Sequence, residues 1–357
     1  MASVELVGVS VLDGTAPRLD AVSLGVPDGA FVGVVGGSGS GKTTLLRAIA
    51  GLDRVATGAV RIGGTDVTRS TPGERDIGMV FQEPALIGHL SVRRNVSFPL
   101  DVRHRDIEEI RVRVDAEARA LHIEQLLLRD PRQLSHGEQQ MVQIARALVR
   151  VPRVLLLDEP FAALDEQVRH RLRAEIGMLQ AGYGVTTLMT TNDPADLTAL
   201  TTQLAVLEQG RLVQFGATSE VRRSPVTLLA AAATGSLSLI DMTVVRDGTG
   251  FWLMREDPAG GELVRIRVWS PAFGGYAGQT VRVAMRPEDI VVSAQGTIPA
   301  VVERRLPVPV DRVQCSVAGV PMLISVTGST SPAVGSRVRL RVDHVMAFDP
   351  RTDAAIR

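Results

Sequence analysis

The chain has 357 residues, with 39 basic and 39 acidic side chains, a formal net charge of zero and 45% hydrophobic residues. Balanced charge gives no support to a nucleic-acid-coating protein or a polybasic membrane binder, and the apolar content excludes a disordered chain. Eight Phe, two Trp and two Tyr leave little for recognition by stacked rings, and one cysteine, Cys315, excludes a disulfide framework and a cysteine-based zinc site. The N-terminus lacks the basic and then apolar pattern of a signal peptide, and no apolar run approaches the ~20 residues of a spanning helix. A soluble, cytosolic protein is therefore expected. Lys42 is the only lysine. In a chain otherwise served by arginine, it marks a place for a compact ammonium rather than a planar guanidinium.

In chain order, residues 30–35 form a short apolar run that leads into a glycine-rich stretch and then LLRAIAGL, which has helical spacing and a capping Gly51. Residues 90–150 read as a charged helical insertion, in which IEEIRVRVDAEARALHIEQLLL carries apolar residues three and four apart. Apolar runs at 154–157 and 186–190 each end in polar residues. Such runs predict a mostly parallel sheet with its site at the carboxyl edge of the strands. Helices are expected to dominate up to residue 234, with LLAAAAT as the end of a linking helix. Beyond it, nine short β-rich runs split by Gly, Pro and Asp predict a small barrel or sandwich. The expected domains are 1–234, with a helical subdomain at about 88–150, and 235–357.

The glycine-rich stretch Gly36, Gly37, Ser38, Gly39, Ser40, Gly41, Lys42, Thr43, Thr44 fits the phosphate-loop pattern G-x-x-x-x-G-K-[ST]. Its backbone N–H groups converge on phosphate oxygens at a helix N-terminus. Lys42 would neutralise the β- and γ-phosphates, and the Thr43 hydroxyl would ligate Mg²⁺. Asp158, at a strand end, supplies the acidic partner for the metal, and Glu159 beside it is placed to polarise a water.

These residues resemble an ATP-binding cassette (ABC) ATPase over roughly 3–230. Leu134-Ser135-His136-Gly137-Glu138 is similar to the cassette signature, Val80-Phe81-Gln82 to the Q-loop, and Ala162-Ala163-Leu164-Asp165 to the D-loop. Residues 71–100 resemble importer ATPases of the maltose type. Residues 283–290, with Arg286, Pro287 and Glu288, resemble a segment of the oligonucleotide-binding-like (TOBE) domain appended to such subunits. The resemblance implies a RecA-like P-loop NTPase fold plus an all-β OB-like domain, with ATP and Mg²⁺ as cofactors. It adds Gln82 to the metal and catalytic groups and Asp165 to the nucleotide contacts. Two copies would sandwich two ATPs head to tail, each between one phosphate loop and the other copy's Ser135, His136, Gly137 and Glu138. Two transmembrane permease subunits and an extracytoplasmic solute-binding protein are the implied partners, with no nucleic acid, at the cytoplasmic face of the inner membrane.

Three departures from the family pattern stand out. No aromatic residue precedes Phe31, and Val11 or Leu12 occupies the region expected to hold a base-stacking ring. A missing stack costs about 1–3 kcal/mol per base. His136 replaces a glycine and crowds the phosphate, adds a charge there if protonated, or turns to solvent. Asn192 stands where a histidine is usual; otherwise it is only the N-cap before Pro194. The expected function is the ATPase of a carbohydrate importer with weak basal turnover. The alternatives are another solute (polyamine, sulfate, ferric ion) or a slow ATP-gated dimerisation switch.

Overall fold

A computed structural model describes residues 2–162, 164–248, 250–306, 312–326 and 332–357. The chain divides into two compact units, Met1–Val221 and Arg222–Arg357. The division falls before the LLAAAAT helix rather than after it.

The first unit opens with β1 (Val4–Asp13), β2 (Ala16–Val26) and β3 (Phe31–Val35), then α1 (Lys42–Ala50), β4 (Thr57–Ile62), β5 (Thr65–Asp66) and β6 (Ile77–Val80). Next come α2 (Val92–Asp101), α3 (Ile107–Ala120) and α4 (His136–Leu148). The unit continues with β7 (Val154–Asp158), α5 (Glu166–Tyr183), β8 (Thr186–Thr190), α6 (Pro194–Leu200), β9 (Gln203–Glu208), β10 (Arg211–Ala217) and α7 (Thr218–Arg223). Its main sheet runs in the order β10-β9-β3-β8-β7-β6. All neighbours in it are parallel except β10 with β9.

Both faces of this sheet are covered, which is why its strands read as unbroken apolar runs. On β7, Val154 and Leu156 enter a core shared with α1, while Leu155 and Leu157 enter a second core with α2, α3 and α4. Gly51 caps α1 in the left-handed conformation, as expected.

Helices outweigh strands in the first 234 residues, as expected, but β1, β2, β4 and β5 add a separate antiparallel sheet that was not expected. β1 alternates between buried Val4, Leu6, Val9 and Val11 and less buried residues, the period of a half-buried strand. The apolar periodicity of 107–128 does not continue one helix. It stops at Ala120, His122 takes φ +53°, and Leu121, Ile123, Leu126 and Leu127 are buried from a turn.

The second unit contains α8 (Leu228–Ala233), then β11 (Ser238–Asp247), β12 (Gly250–Arg255), β13 (Val264–Val268), β14 (Thr280–Met285) and β15 (Ile290–Val292). β16 (Ile298–Arg305), β17 (Arg312–Val317), β18 (Val320–Ser325), β19 (Arg337–Val342) and β20 (Met346–Phe348) complete it. Two five-stranded antiparallel sheets, β13-β12-β11-β14-β20 and β15-β19-β16-β17-β18, enclose one core, the all-β OB-like arrangement expected. All nine expected strands are present; β20 was not anticipated. Arg286 is buried and donates to the Arg222 and Ala231 carbonyls and to Thr234 Oγ1, tying the α8 segment to the sheet.

Candidate functional site

The site is built where β3, β7 and β8 end together, because parallel strands deliver their following loops to one edge. After β3 the chain turns through the glycine-rich stretch. A Cβ on Gly36 would lie 2.2 Å from the Leu207 carbonyl oxygen and 2.4 Å from Ser40 Oγ, so only glycine fits. Gly41 caps α1 with φ 101°. Lys42, the first residue of α1, is 8% exposed, and its Nζ donates to the Gly36 and Gly37 carbonyls at 2.9 and 3.2 Å. Residues 38–44 line a cleft of about 500 Å³ together with Gln82, Glu159, Asn192 and Arg18.

At the end of β7, Asp158 is 3% exposed and its Oδ1 accepts from Thr43 Oγ1 at 3.1 Å and from Thr190 Oγ1 at 2.7 Å. Glu159 has φ +45°, a strained conformation for a side-chain-bearing residue. It is held there by its N–H, which donates to Thr190 Oγ1 at 2.8 Å. Asn192 Nδ2 then donates to Glu159 Oε1 at 2.8 Å. The N-cap of α6 is Asp193, not Asn192, so the capping alternative is set aside.

The fit to a nucleotide and its metal rests on the donor set. Ser40 Oγ is buried with no partner, and a phosphate oxygen would satisfy it. Thr43 Oγ1, Asp158 and Gln82 offer oxygen ligands only. Among the described residues no cluster of three or more His, Cys, Asp and Glu forms a metal cage. That suits Mg²⁺, which takes one or two protein carboxylates and completes its shell with phosphates and water.

The signature-like segment lies apart from this cleft. Ser135 caps α4: its Oγ accepts from the Glu138 N–H, while Glu138 Oε2 accepts from Ser135 N and Oγ at 2.8 and 2.9 Å. His136 is neither clear of the protein nor fully buried: its side chain is 36% exposed, Nε2 is 4.0 Å from Glu83, and Nδ1 is buried without a partner. Beside Gly137, an added Cβ would meet Leu164 and Val168 at 3.4 and 3.3 Å. Asp165 caps α5, accepting from Gln167 and Val168 N–H, and does not line the cleft. Ala163 lies outside the described residues.

Residues 19–162 match the family model for the ABC transporter. The chain is 40% identical to the sn-glycerol-3-phosphate import ATP-binding protein of Yersinia pseudotuberculosis over 288 residues, 80% of this chain and 78% of that one. To its counterpart from Roseobacter denitrificans it is 35% identical over 372 residues, 100% of this chain and 99% of the other.

The chain belongs to the ABC transporter family.

A sulfate/thiosulfate import ATP-binding protein of Mycolicibacterium paratuberculosis is 40% identical over 82% of this chain and 74% of its own. Among solved structures, a dimeric ATP-binding cassette in a post-hydrolysis state, bound to ADP and Pi, superimposes with a TM-score of 0.56 at 32% identity. It covers 60% of this chain and 98% of its own. This ABC protein is an ATPase of the importer-subunit class. No described helix is long and apolar enough to cross a membrane.

Three residues of the ABC site escaped sequence reasoning. Thr190 links Asp158 to Glu159; its signal was a hydroxyl at the end of an apolar strand. Buried Gln143 on α4 donates to the Phe81 carbonyl and accepts from Ala85 N–H, clamping both sides of Gln82's loop. Its signal was an amide on the apolar face of a helix. Arg18 is the third.

Proposed function

We propose that the chain is the energy-coupling ATPase of a bacterial importer for a carbohydrate-type solute. It acts as a homodimer on the cytoplasmic face of two separate permease subunits fed by an extracytoplasmic binding protein. The observation that carries this reading is end-to-end similarity to a glycerol-3-phosphate import subunit, joined to a cleft lined by residues 38–44, Gln82, Glu159 and Asn192. In that cleft the loop amides and Lys42 hold the phosphates. Thr43, Asp158 and Gln82 would hold Mg²⁺, which would supply positive charge against the transferring phosphate.

Glu159 accepts the proton of the attacking water. Asn192 fixes the Glu159 carboxylate through its Nδ2 bond but carries no charge of its own toward the γ-phosphate, so basal turnover is slow. The Ser135-led start of α4, with His136, Gly137 and Glu138, faces the γ-phosphate held by the second copy, where its helix dipole favours an anion. Asp165 lies at the same interface. Hydrolysis removes that contact and loosens the dimer. Sulfate is the second reading, favoured by the mycobacterial relative.

The test is phosphate release by the chain reconstituted with its permeases and binding protein. Stimulation by glycerol-3-phosphate or a sugar is the expected result, and stimulation by sulfate alone moves the reading to the second solute. Tight ATP-driven dimers with no stimulation by any solute overturn transport in favour of a switch.

A further inference from the structure

The cleft has a hydrolytic end, marked by Gln82, Glu159 and Asn192, and a loop that takes the phosphates. One lining residue belongs to neither: Arg18. With the γ-phosphate beside Glu159, the phosphate chain leads away from that end, and the base must rest on what remains.

Arg18 is anchored there by its backbone. A Cβ on either Gly41 or Gly210 would come within 2.8 Å of the Arg18 carbonyl oxygen. Asp20 N–H donates to the Gly210 carbonyl at 2.9 Å, and Gly210 N–H to that of Ser40 at 3.0 Å. The start of β2 is thus laced to the phosphate loop through the β9–β10 turn. The guanidinium is set by Asp13, whose Oδ2 accepts from Nε at 3.0 Å and from Nη2 at 2.5 Å. Asp13 and Arg18 remain 62% and 57% exposed, so the pair adds little to stability. Its bonds lie in the guanidinium plane and leave the faces of that plane available for stacking. No aromatic residue lines the cleft or precedes Phe31.

We propose that Arg18, held by Asp13, is the base-binding residue of this chain, a flat cation that stacks on the purine and does not distinguish adenine from guanine. The inference rests on reading the cleft as a nucleotide site. Stacking uses the π-face that every base possesses, so it gives affinity without a hydrogen-bond code.

The test measures dissociation constants of the full-length chain for ATP, GTP and inorganic tripolyphosphate. ATP and GTP are expected within about threefold of each other. Arg18→Ala weakens both about tenfold and leaves tripolyphosphate unchanged, and Arg18→Tyr restores nucleotide affinity. The proposal is overturned if Arg18→Ala leaves ATP binding intact, if it weakens tripolyphosphate as much as ATP, or if Arg18→Tyr gives no recovery. Lys42→Ala separates the two levels. If tripolyphosphate binds the wild type and is lost in Lys42→Ala while Arg18→Ala does nothing, the nucleotide cleft stands and only the base assignment fails. If the wild type binds none of the three, both fall.

Discussion

The two units of the chain bury polar side chains to opposite ends. In the first, Lys42, Asp158 and Thr190 are sunk at the carboxyl ends of parallel strands, and their bonds lead outward to Glu159 and Asn192 in an open cleft. In the second, Arg286 and Asp349 are equally buried, but their bonds end locally. Arg286 secures the α8 segment. Asp349 accepts from Arg351 N–H and from the Tyr276 hydroxyl, bonds that hold its carboxyl below its ordinary range. A parallel sheet sends several loops to one edge, where charges gather for chemistry. An antiparallel sheet alternates its turns between two edges, and its buried polar groups close corners instead.

That contrast breaks most visibly at Lys42. Lys42→Ala is expected to abolish nucleotide binding and hydrolysis while leaving the far-UV circular dichroism of the whole chain unchanged. Glu159→Gln should lower kcat by about 10²–10³ with ATP affinity retained, measured by single-turnover phosphate release. An unchanged rate would remove Glu159 from the role of base.

Arg286→Ala tests the other unit. Loss of its buried bonds should cost about 2–4 kcal/mol, read from a denaturant melt of the second unit, with ATP affinity preserved. Asn192→Ala should reduce kcat by about tenfold with little change in KM, since it loosens the Glu159 carboxylate without touching the phosphate loop.

The smallest effect concerns pH. Burial pushes the carboxyl of Glu117 on α3 above its ordinary value, against the opposing bond from the Tyr183 hydroxyl of α5. A raised folded-state pKa means the native state holds the proton more tightly than the unfolded chain, so stability falls as pH rises from the ordinary carboxylate range through the raised value. Burial raises Glu175 in the same direction. Glu117→Gln, which cannot ionise, should flatten the fall of melting temperature as pH rises above the ordinary carboxylate range. An unaltered slope would assign the dependence to other groups.

What the sequence determined by itself was whatever is encoded by neighbours along the chain. Residues 36–44 spell the phosphate loop in contiguous order. Asp158 and Glu159 follow an apolar strand. The nine short runs after residue 235 announce β structure through their turns. The tertiary structure alone decided the groupings that join distant segments. Thr190 meets Asp158 and Glu159 only because β7 and β8 pair in parallel register. Gln143 reaches residues 81 and 85 across a helix–loop packing. Arg18 reaches the cleft only because the turn at Gly210 and the loop at Ser40 are laced to β2. Asn192 was recognised from its place after β8, but its bond to Glu159 depends on a left-handed backbone at residue 159 that no local pattern announces. Local spacing encodes caps, turns and loops, because their partners lie within a few residues. Hydrogen bonds across a sheet depend on register, and register is set by the packing of both its faces.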